Sequence, residues 1–436
     1  MRRGPKNLRI TFDGEALTHY GGAALVHHFL QRIGLRTHLS RLVRFPQRNN
    51  RYHISEIVVA LLYPVILGIE RLEMTEPLKH NGVFQYLTGL PGYPDATSLR
   101  RFLHRFGHAG RAGFLKLHDL YHRVMLAFLR GQVILDLDAT VLTVYGYREH
   151  AAIGYNPRKH GRPSYLAVLC FEGRTRDCLQ GALHPGNTHV LSVSRPLIDH
   201  ALSILPKGRR LRVRADGAFF DGRFSEWLSE RRAGYVIAAR LTTPIKHRLT
   251  GLRYRQVRRD IWTAEFRYTP QGWAQAARFV VIRRPVPDEP SAQLHLFELK
   301  GYTYQVLATN LPWSPFTVWQ FYNDRSQAEL IIRELKAAYA LNKIPMQDFS
   351  GNEAFFQLVL FAYNVLSWFK RLCAPLELQR ASLMRLRRTL FLAPAQLVRP
   401  QGRPVLRLSQ AYPFPSLFHD TLRRIHRLKP LHLDGA

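Results

Sequence analysis

Residues 132–145 read Gln-Val-Ile-Leu-Asp-Leu-Asp-Ala-Thr-Val-Leu-Thr-Val-Tyr. Aliphatic and β-branched residues dominate the run, which predicts a strand. Within it stand two carboxylates, Asp136 and Asp138, and residues two apart share one face of a strand. A buried charge is costly unless it meets a metal ion or a partner, so acids at these positions point to chemistry. Periodicity alone does not choose between them.

Reading outward from this strand, the period stays at two. Ser164–Phe171 and Cys178–Leu183 are the next strands, joined by turns rich in Gly, Pro and Asn. A helix over residues 189–205, a strand Leu211–Ala215, a helix Arg223–Arg232 and a strand Tyr235–Ala239 follow. The order β-β-β-α-β-α-β is that of an α/β, ribonuclease-H-like core, assigned to residues 131–240. One closing helix is still required. Before it, residues 241–314 alternate apolar and polar positions with many aromatics (Trp262–Tyr268, Ala277–Ile282, Leu294–Leu299, Tyr304–Thr309) and read as a β-rich insertion. For Trp262, Trp273 and Trp313, core packing is the stronger expectation, with stacking on a flipped base as the alternative.

Pro315–Leu341 supplies the closing helix, within a closing segment 315–369. It carries Tyr322, Arg325, Glu329 and Lys336, spaced Tyr-x2-Arg-x3-Glu-x6-Lys. Steps of three, four and seven return to one side of a helix, so all four are expected on one stripe. In such a sheet the first and fourth strands are parallel neighbours, which brings Asp138 or Asp136 to Asp216, and the closing helix adds Glu329. Three carboxylates without nearby imidazole or thiolate suit hard cations, Mg²⁺ or Mn²⁺. Two such ions about 4 Å apart assist in-line phosphoryl transfer. Taken singly, Asp216 is also a common turn-capping residue, and Glu329 and Lys336 are ordinary helix-surface charges.

Residues 1–130 read as a helical N-terminal domain, with apolar helix periodicity in Ala23–Ile33, Ile54–Met74 and Leu115–Leu129. A helix opened by Thr97 or Ser98 carries Arg100, Arg101, His104 and Arg105. It is either a DNA-reading helix of the helix-turn-helix type or a solvated basic face. From Lys370 onward 13 Lys or Arg face three acids, so residues 370–436 form a basic segment, with Arg385, Arg387 and Arg388 among leucines and a hairpin over Val398–Ser409. That segment is either solvated or in contact with phosphate.

Over the whole chain of 436 residues, 63 basic and 31 acidic side chains give a formal charge of +32. An excess of that size repels itself without a polyanion, and its arginines favour phosphate. With 46% hydrophobic and 22% charged residues the composition is globular. Three cysteines without a Cys-x2-Cys pair exclude a disulfide framework and a zinc ribbon. His150, His160, His184 and His189 lack ligand spacing. No apolar signal core follows the basic N-terminus, and the apolar runs Ile57–Ile69 and Leu358–Phe369 are too short to span a bilayer. A cytoplasmic, nucleoid-associated protein without a membrane partner is expected.

Several strings together carry a family resemblance: Asp136-Leu-Asp-Ala-Thr140, Gly154-Tyr-Asn-Pro-Arg-Lys-His-Gly-Arg-Pro-Ser-Tyr165, Pro185-Gly-Asn187 and Arg214-Ala-Asp-Gly-Ala-Phe219. They resemble the DDE transposases of bacterial insertion sequences, above all the insertion sequence 1380 family, within the larger set bearing a β-rich insertion and a Tyr-Arg-Glu-Lys signature. The resemblance spans residues 20–410; Ala218 stands where it leads one to expect glycine. It implies Asp138, Asp216 and Glu329 as catalytic, metal-holding residues and Tyr322, Arg325 and Lys336 as grips on the transposon end. Arg158, Lys159 and Arg162, with Tyr155, are expected to hold phosphates near the cut. The insertion is similar to the segment with which relatives make hairpin ends. The partners implied are double-stranded DNA, as terminal inverted repeats and as target, and a second copy in a synaptic homodimer. A DNA-binding protein without catalysis and a nuclease that cuts without joining are the rival readings.

Overall fold

The structure is a computed structural model that describes residues 10–47, 51–286, 297–299 and 301–431. The chain divides into two compact units. One comprises residues 118–336 and 347–349; the other comprises the described residues of 1–117, 337–346 and 350–435.

The first unit is built on one large mixed sheet. Strands β1 (Gln132–Thr143), β2 (Pro163–Glu172) and β3 (Cys178–Pro185) form an antiparallel meander. Helix α1 (Val190–Ile204) returns the chain to β4 (Arg210–Ala215), which pairs parallel to β1 with Leu135 opposite Val213 and Leu137 opposite Ala215. Helix α2 (Gly222–Glu230) leads to β5 (Gly234–Ala238), parallel to β4. The spatial order is therefore β3-β2-β1-β4-β5. Alternation along the strands sorts the faces. Val133, Leu135, Leu137, Val213, Ala215, Tyr235 and Ile237 join the core under α1 and α2, so Asp136, Asp138 and Arg214 point to the opposite face.

The insertion is not a separate body. After helix α3 (Thr243–Gly251), which the aromatic alternation did not reveal, come β6 (Arg255–Arg258), β7 (Ile261–Tyr268), β8 (Ala277–Pro285), β9 (Phe297–Leu299) and β10 (Tyr302–Thr309). Strand β10 pairs antiparallel with β5, Leu307 opposite Ala238, and β8, β7 and β6 continue outward from it. The insertion thus extends the same sheet. The start of the strand expected at Leu294 lies outside the described residues. The three tryptophans are half-buried: Trp273 packs on Phe220 and Trp313 on Phe321, each against a buried cluster, and Trp262 packs on Tyr302.

The closing helix is two helices. Helix α4 (Pro315–Asn323) starts at the Ser314 cap, whose hydroxyl accepts from the Thr317 amide, and α5 (Ser326–Ala338) follows a turn at Asp324–Arg325. A single helix would give the Phe321 carbonyl to the Arg325 amide. Here that carbonyl accepts from the Arg214 guanidinium at 2.7 Å, and the Arg325 amide bonds Tyr322 O instead. The expectation of one unbroken stripe is thereby corrected: Tyr322 sits on α4, Arg325 in the turn, and Glu329 and Lys336 on α5.

The second unit is mainly helical. Helix Ile54–Leu67 is buried on nearly every side and stops at Gly68 (φ +93°), short of the expected Met74. Its last carbonyls are taken by Arg387, which donates to Val65 O at 2.7 Å and Ile66 O at 2.8 Å. Arg387 is therefore a buried helix cap, not a solvated or phosphate-facing cation. Helix Ala96–Arg105 is capped by Asp95, which accepts from the Ser98 amide, rather than by Thr97 or Ser98. The C-terminal hairpin runs Ala395–Val398 and Val405–Leu408 and pairs with Leu17–Thr18, and a helix Pro415–Arg427 follows. The basic segment is thus folded into the same unit as the N-terminal helices. Among the described residues no helix is long and apolar enough to cross a membrane.

Candidate active site

Strand β1 delivers two acids to the face covered by α4 and α5, and their surroundings differ. Asp136 is held by Arg214, with Nε to Oδ1 at 2.5 Å and the second bond to Oδ2 at 2.7 Å. Such a forked pair is among the stronger charge-assisted contacts, and it uses up the carboxylate. Arg214 is almost fully buried, lies under the Phe321 ring, and comes within 3.8 Å of Asp324. Asp136 thus belongs to a buried ion pair.

Asp138, one pleat on, has no such private partner. Its Oδ1 accepts the Ala139 amide at 2.8 Å and lies 3.3 Å from an Arg325 nitrogen. Asp216 ends β4 beside it, because residues 136 and 214 are register partners and each chain advances two residues. Asp216 Oδ1 caps the turn by accepting the Ala218 amide at 3.0 Å, while Oδ2 stands 4.0 Å from the same Arg325 nitrogen. Glu329, on the first turn of α5, takes the other Arg325 nitrogen at 2.8 Å. The expected three acids therefore converge, with one guanidinium among them.

Burial pushes the Asp138 carboxyl up to about 7; Arg325 opposes this, whereas Asp216 and Glu329 add to it. Asp216 is raised for the same leading reason. Two carboxyls that resist ionisation beside one another need positive charge, and the side chains that gather at Arg325 are all oxygen donors. The donor set fits a hard divalent cation.

Lys336 lies on α5, its ammonium bonded to Thr140 Oγ1 at 2.5 Å and Val141 O at 3.1 Å. Burial lowers it to about 8, Arg158 lowers it further, and Asp138 opposes. Tyr322 is half-buried, and burial raises its phenol to about 12, against Arg325. Arg325 is 2% exposed, so in this structure it grips carboxylates and faces away from solvent.

The loop after β1 presents Arg158, Lys159 and Arg162 to solvent, along with Tyr145, Tyr147 and Tyr155. Buried Asn156 organises it, donating to Thr143 Oγ1 and accepting the Lys159 amide. Two glycines of the quoted strings have steric reasons. A side chain at Gly154 would fall 1.9 Å from Gly186 O, and one at Gly186 would strike Ser164 and Ala152. Glu149 ties the loop down, receiving the Phe349 amide at 2.8 Å. In the other unit Arg100 is paired with Glu73, and Arg101 is exposed. Sequence reasoning missed Arg214, Asn156 and Thr140. All three fall within the quoted strings, but none stands out there by residue type.

A scaffold of this kind, with acids brought together from two parallel strands and a packed helix, defines a mixed α/β protein with an acidic centre. Residues 2–430 match the family described as transposase DDE domain group 1, and the chain belongs to that family. No curated protein matches it. Among solved structures it is similar to a piggyBac transposase in a cryo-EM synaptic complex with hairpin DNA, at 12% identity and a TM-score of 0.42, covering 96% of this chain and 87% of that one.

Proposed function

We propose that this chain is the transposase of an insertion sequence, of the insertion sequence 1380 type. It binds the terminal inverted repeats, cleaves at the ends, and joins the freed 3′-hydroxyls to target DNA. One observation carries the proposal: Asp138, Asp216 and Glu329, far apart in sequence, meet around a single guanidinium in a chain of the DDE transposase family. The strand order supports reading the central sheet as a ribonuclease-H-like core.

In this reading Asp138, Asp216 and Glu329 hold Mg²⁺ or Mn²⁺, two ions in the working complex. When bound, such ions supply Lewis-acid stabilisation of an in-line displacement at phosphorus. The chain's own residues position the DNA. Lys336, two turns past Glu329, meets a phosphate beside the scissile one, and Tyr322 contacts another. Arg158, Lys159 and Arg162 hold the strand on the loop side, where the Arg158 charge is already felt by Lys336. Arg100 and Arg101 belong to the helical unit that binds the end. The insertion accommodates hairpin formation, and two copies synapse a pair of ends in the nucleoid.

The test uses end-labelled inverted-repeat DNA and a supercoiled target with Mg²⁺. Cleavage followed by covalent joining is expected. Cutting without joining would make the protein a nuclease, and binding without cutting would make it a DNA-binding protein; either result overturns the proposal.

A further inference from the structure

Arg325 was expected to face DNA, yet every strong contact it makes is inward. One terminal nitrogen donates to Glu329; the other reaches the Leu137 carbonyl at 3.3 Å and lies near both Asp138 and Asp216. Its Nε is buried without a hydrogen-bond partner. The neighbouring cations are committed elsewhere, Arg214 to Asp136 and Lys336 to Thr140 and Val141. One guanidinium therefore makes the direct contacts to three carboxylates, with the charges of Lys336 and Arg240 felt from farther off, so acid remains in excess at the contact distance.

We propose that Arg325 is the built-in counter-cation of the acid cluster: it gathers Asp138, Asp216 and Glu329 in the metal-free protein and competes with the first divalent ion for their oxygens. The proposal rests on the reading of these acids as cation ligands. The geometry gives the device its means of release. Arg325 sits in the turn between α4 and α5, a joint where the helical hydrogen-bond ladder is already interrupted, so its side chain can withdraw without unwinding either helix. A charge of the same sign about 4 Å from an arriving cation is unfavourable, the more so beside Asp138 and Arg325, which are buried and lower the effective dielectric. Its loss should thus favour the ion while exposing the acids to mutual repulsion when no ion is present.

The test compares the parent, Arg325→Gln and Arg325→Lys in the full chain, using Mn²⁺ binding followed by the free-ion electron paramagnetic signal and thermal unfolding in chelator. Arg325→Gln is expected to bind Mn²⁺ about tenfold or more tightly, to unfold earlier in chelator, and to recover when Mn²⁺ is added. Arg325→Lys should stay near the parent. The double variant Arg325→Gln/Asp138→Asn should regain the chelator-state stability, because one acid fewer needs a counter-charge. Unchanged or weaker Mn²⁺ binding by folded Arg325→Gln would overturn the proposal. Should the parent itself bind no Mn²⁺, the reading of the acids as metal ligands fails separately. The counter-cation is then judged by the chelator measurements alone, and is overturned if Arg325→Gln is as stable as the parent.

Discussion

Two layers of charge lie one pleat apart on the face of β1 that α4 and α5 cover. In the lower layer Asp136 and Arg214 form a forked pair, and the spare Arg214 nitrogen goes to the Phe321 carbonyl. In the upper layer three acids share one guanidinium at separations from 2.8 to 4.0 Å. Both layers bridge the same elements: β1, β4 and the turn between α4 and α5. The lower gives its buried acid a guanidinium of its own and is nearly sealed, with only the exposed Asp324 3.8 Å from that guanidinium; the upper keeps an excess of acid, and Asp216 and Glu329 reach solvent. Burial of a charge thus identifies nothing by itself. What separates structure from chemistry is whether the partner count closes.

The largest expected effect belongs to the upper layer. Asp138→Asn, Asp216→Asn or Glu329→Gln should each reduce cleavage of a labelled end in Mg²⁺ by about a thousandfold or more, since cation assistance contributes several kcal/mol to such displacements. Gel-shift affinity for the same DNA should stay near the parent's. Full activity in the Glu329→Gln protein would erase the contrast between the layers.

The lower layer should respond in stability instead. Breaking a buried pair strands its partner, so Asp136→Ala or Arg214→Met should each destabilise the protein by about 3 kcal/mol. Removing both should cost less than the sum of the two. Asp138→Asn should behave oppositely. The Asp138 carboxyl lies near 7 in the folded chain and near 3.8 when free. A raised acid contributes stability that is full below about pH 4 and lost as pH rises through 7. In chelator the Asn variant should therefore exceed the parent in melting temperature at pH 8 and match it at pH 4. Equal pH profiles would show that folding leaves the Asp138 carboxyl unshifted.

Much of this contrast was legible in the chain. Strand alternation placed both aspartates on one face, and strand order brought Asp216 to Asp138, because parallel neighbours place the same pleat side by side. The break between α4 and α5 was not legible. Tyr322-Asn-Asp-Arg325 contains no Pro or Gly, and the cause is tertiary: Arg214, distant in sequence, takes a helix carbonyl. Arg214 itself was masked by the alternation Arg210, Arg212, Arg214, which resembles a solvated strand face. The merger of the insertion into the central sheet depends on β5–β10 pairing across about seventy residues, a contact that local periodicity cannot report.

Lys336 tests whether the upper layer extends along α5. Held by Thr140 and Val141 O, its ammonium is pre-placed beside the acids. Misplacing a scissile phosphate by about 1 Å can lower the rate on the order of a hundredfold, and Lys336→Ala should do so in single-turnover cleavage at saturating protein. Binding of long DNA should change little. Cleavage at the parental rate would confine the chemistry to the acids and Arg325.

The smallest effects are expected from the loop cations, which belong to neither layer. Arg158, Lys159 and Arg162 are exposed, and among the described residues no other side chain is shown fixing their charges in place as Thr140 fixes Lys336. Each therefore offers one phosphate contact among many in a chain of net charge +32. A lost contact removes about 0.9 from the slope of log K against log salt. Single alanine substitutions should thus lower that slope by about one, weaken binding only a few-fold near physiological salt, and act alike on specific and random duplexes. The triple variant should lose about three. Fluorescence anisotropy across a salt series would read this directly. A single substitution that abolished cleavage while leaving the slope intact would move that residue into the chemical layer, and the division between closed and open charge would have to be drawn further out along the loop.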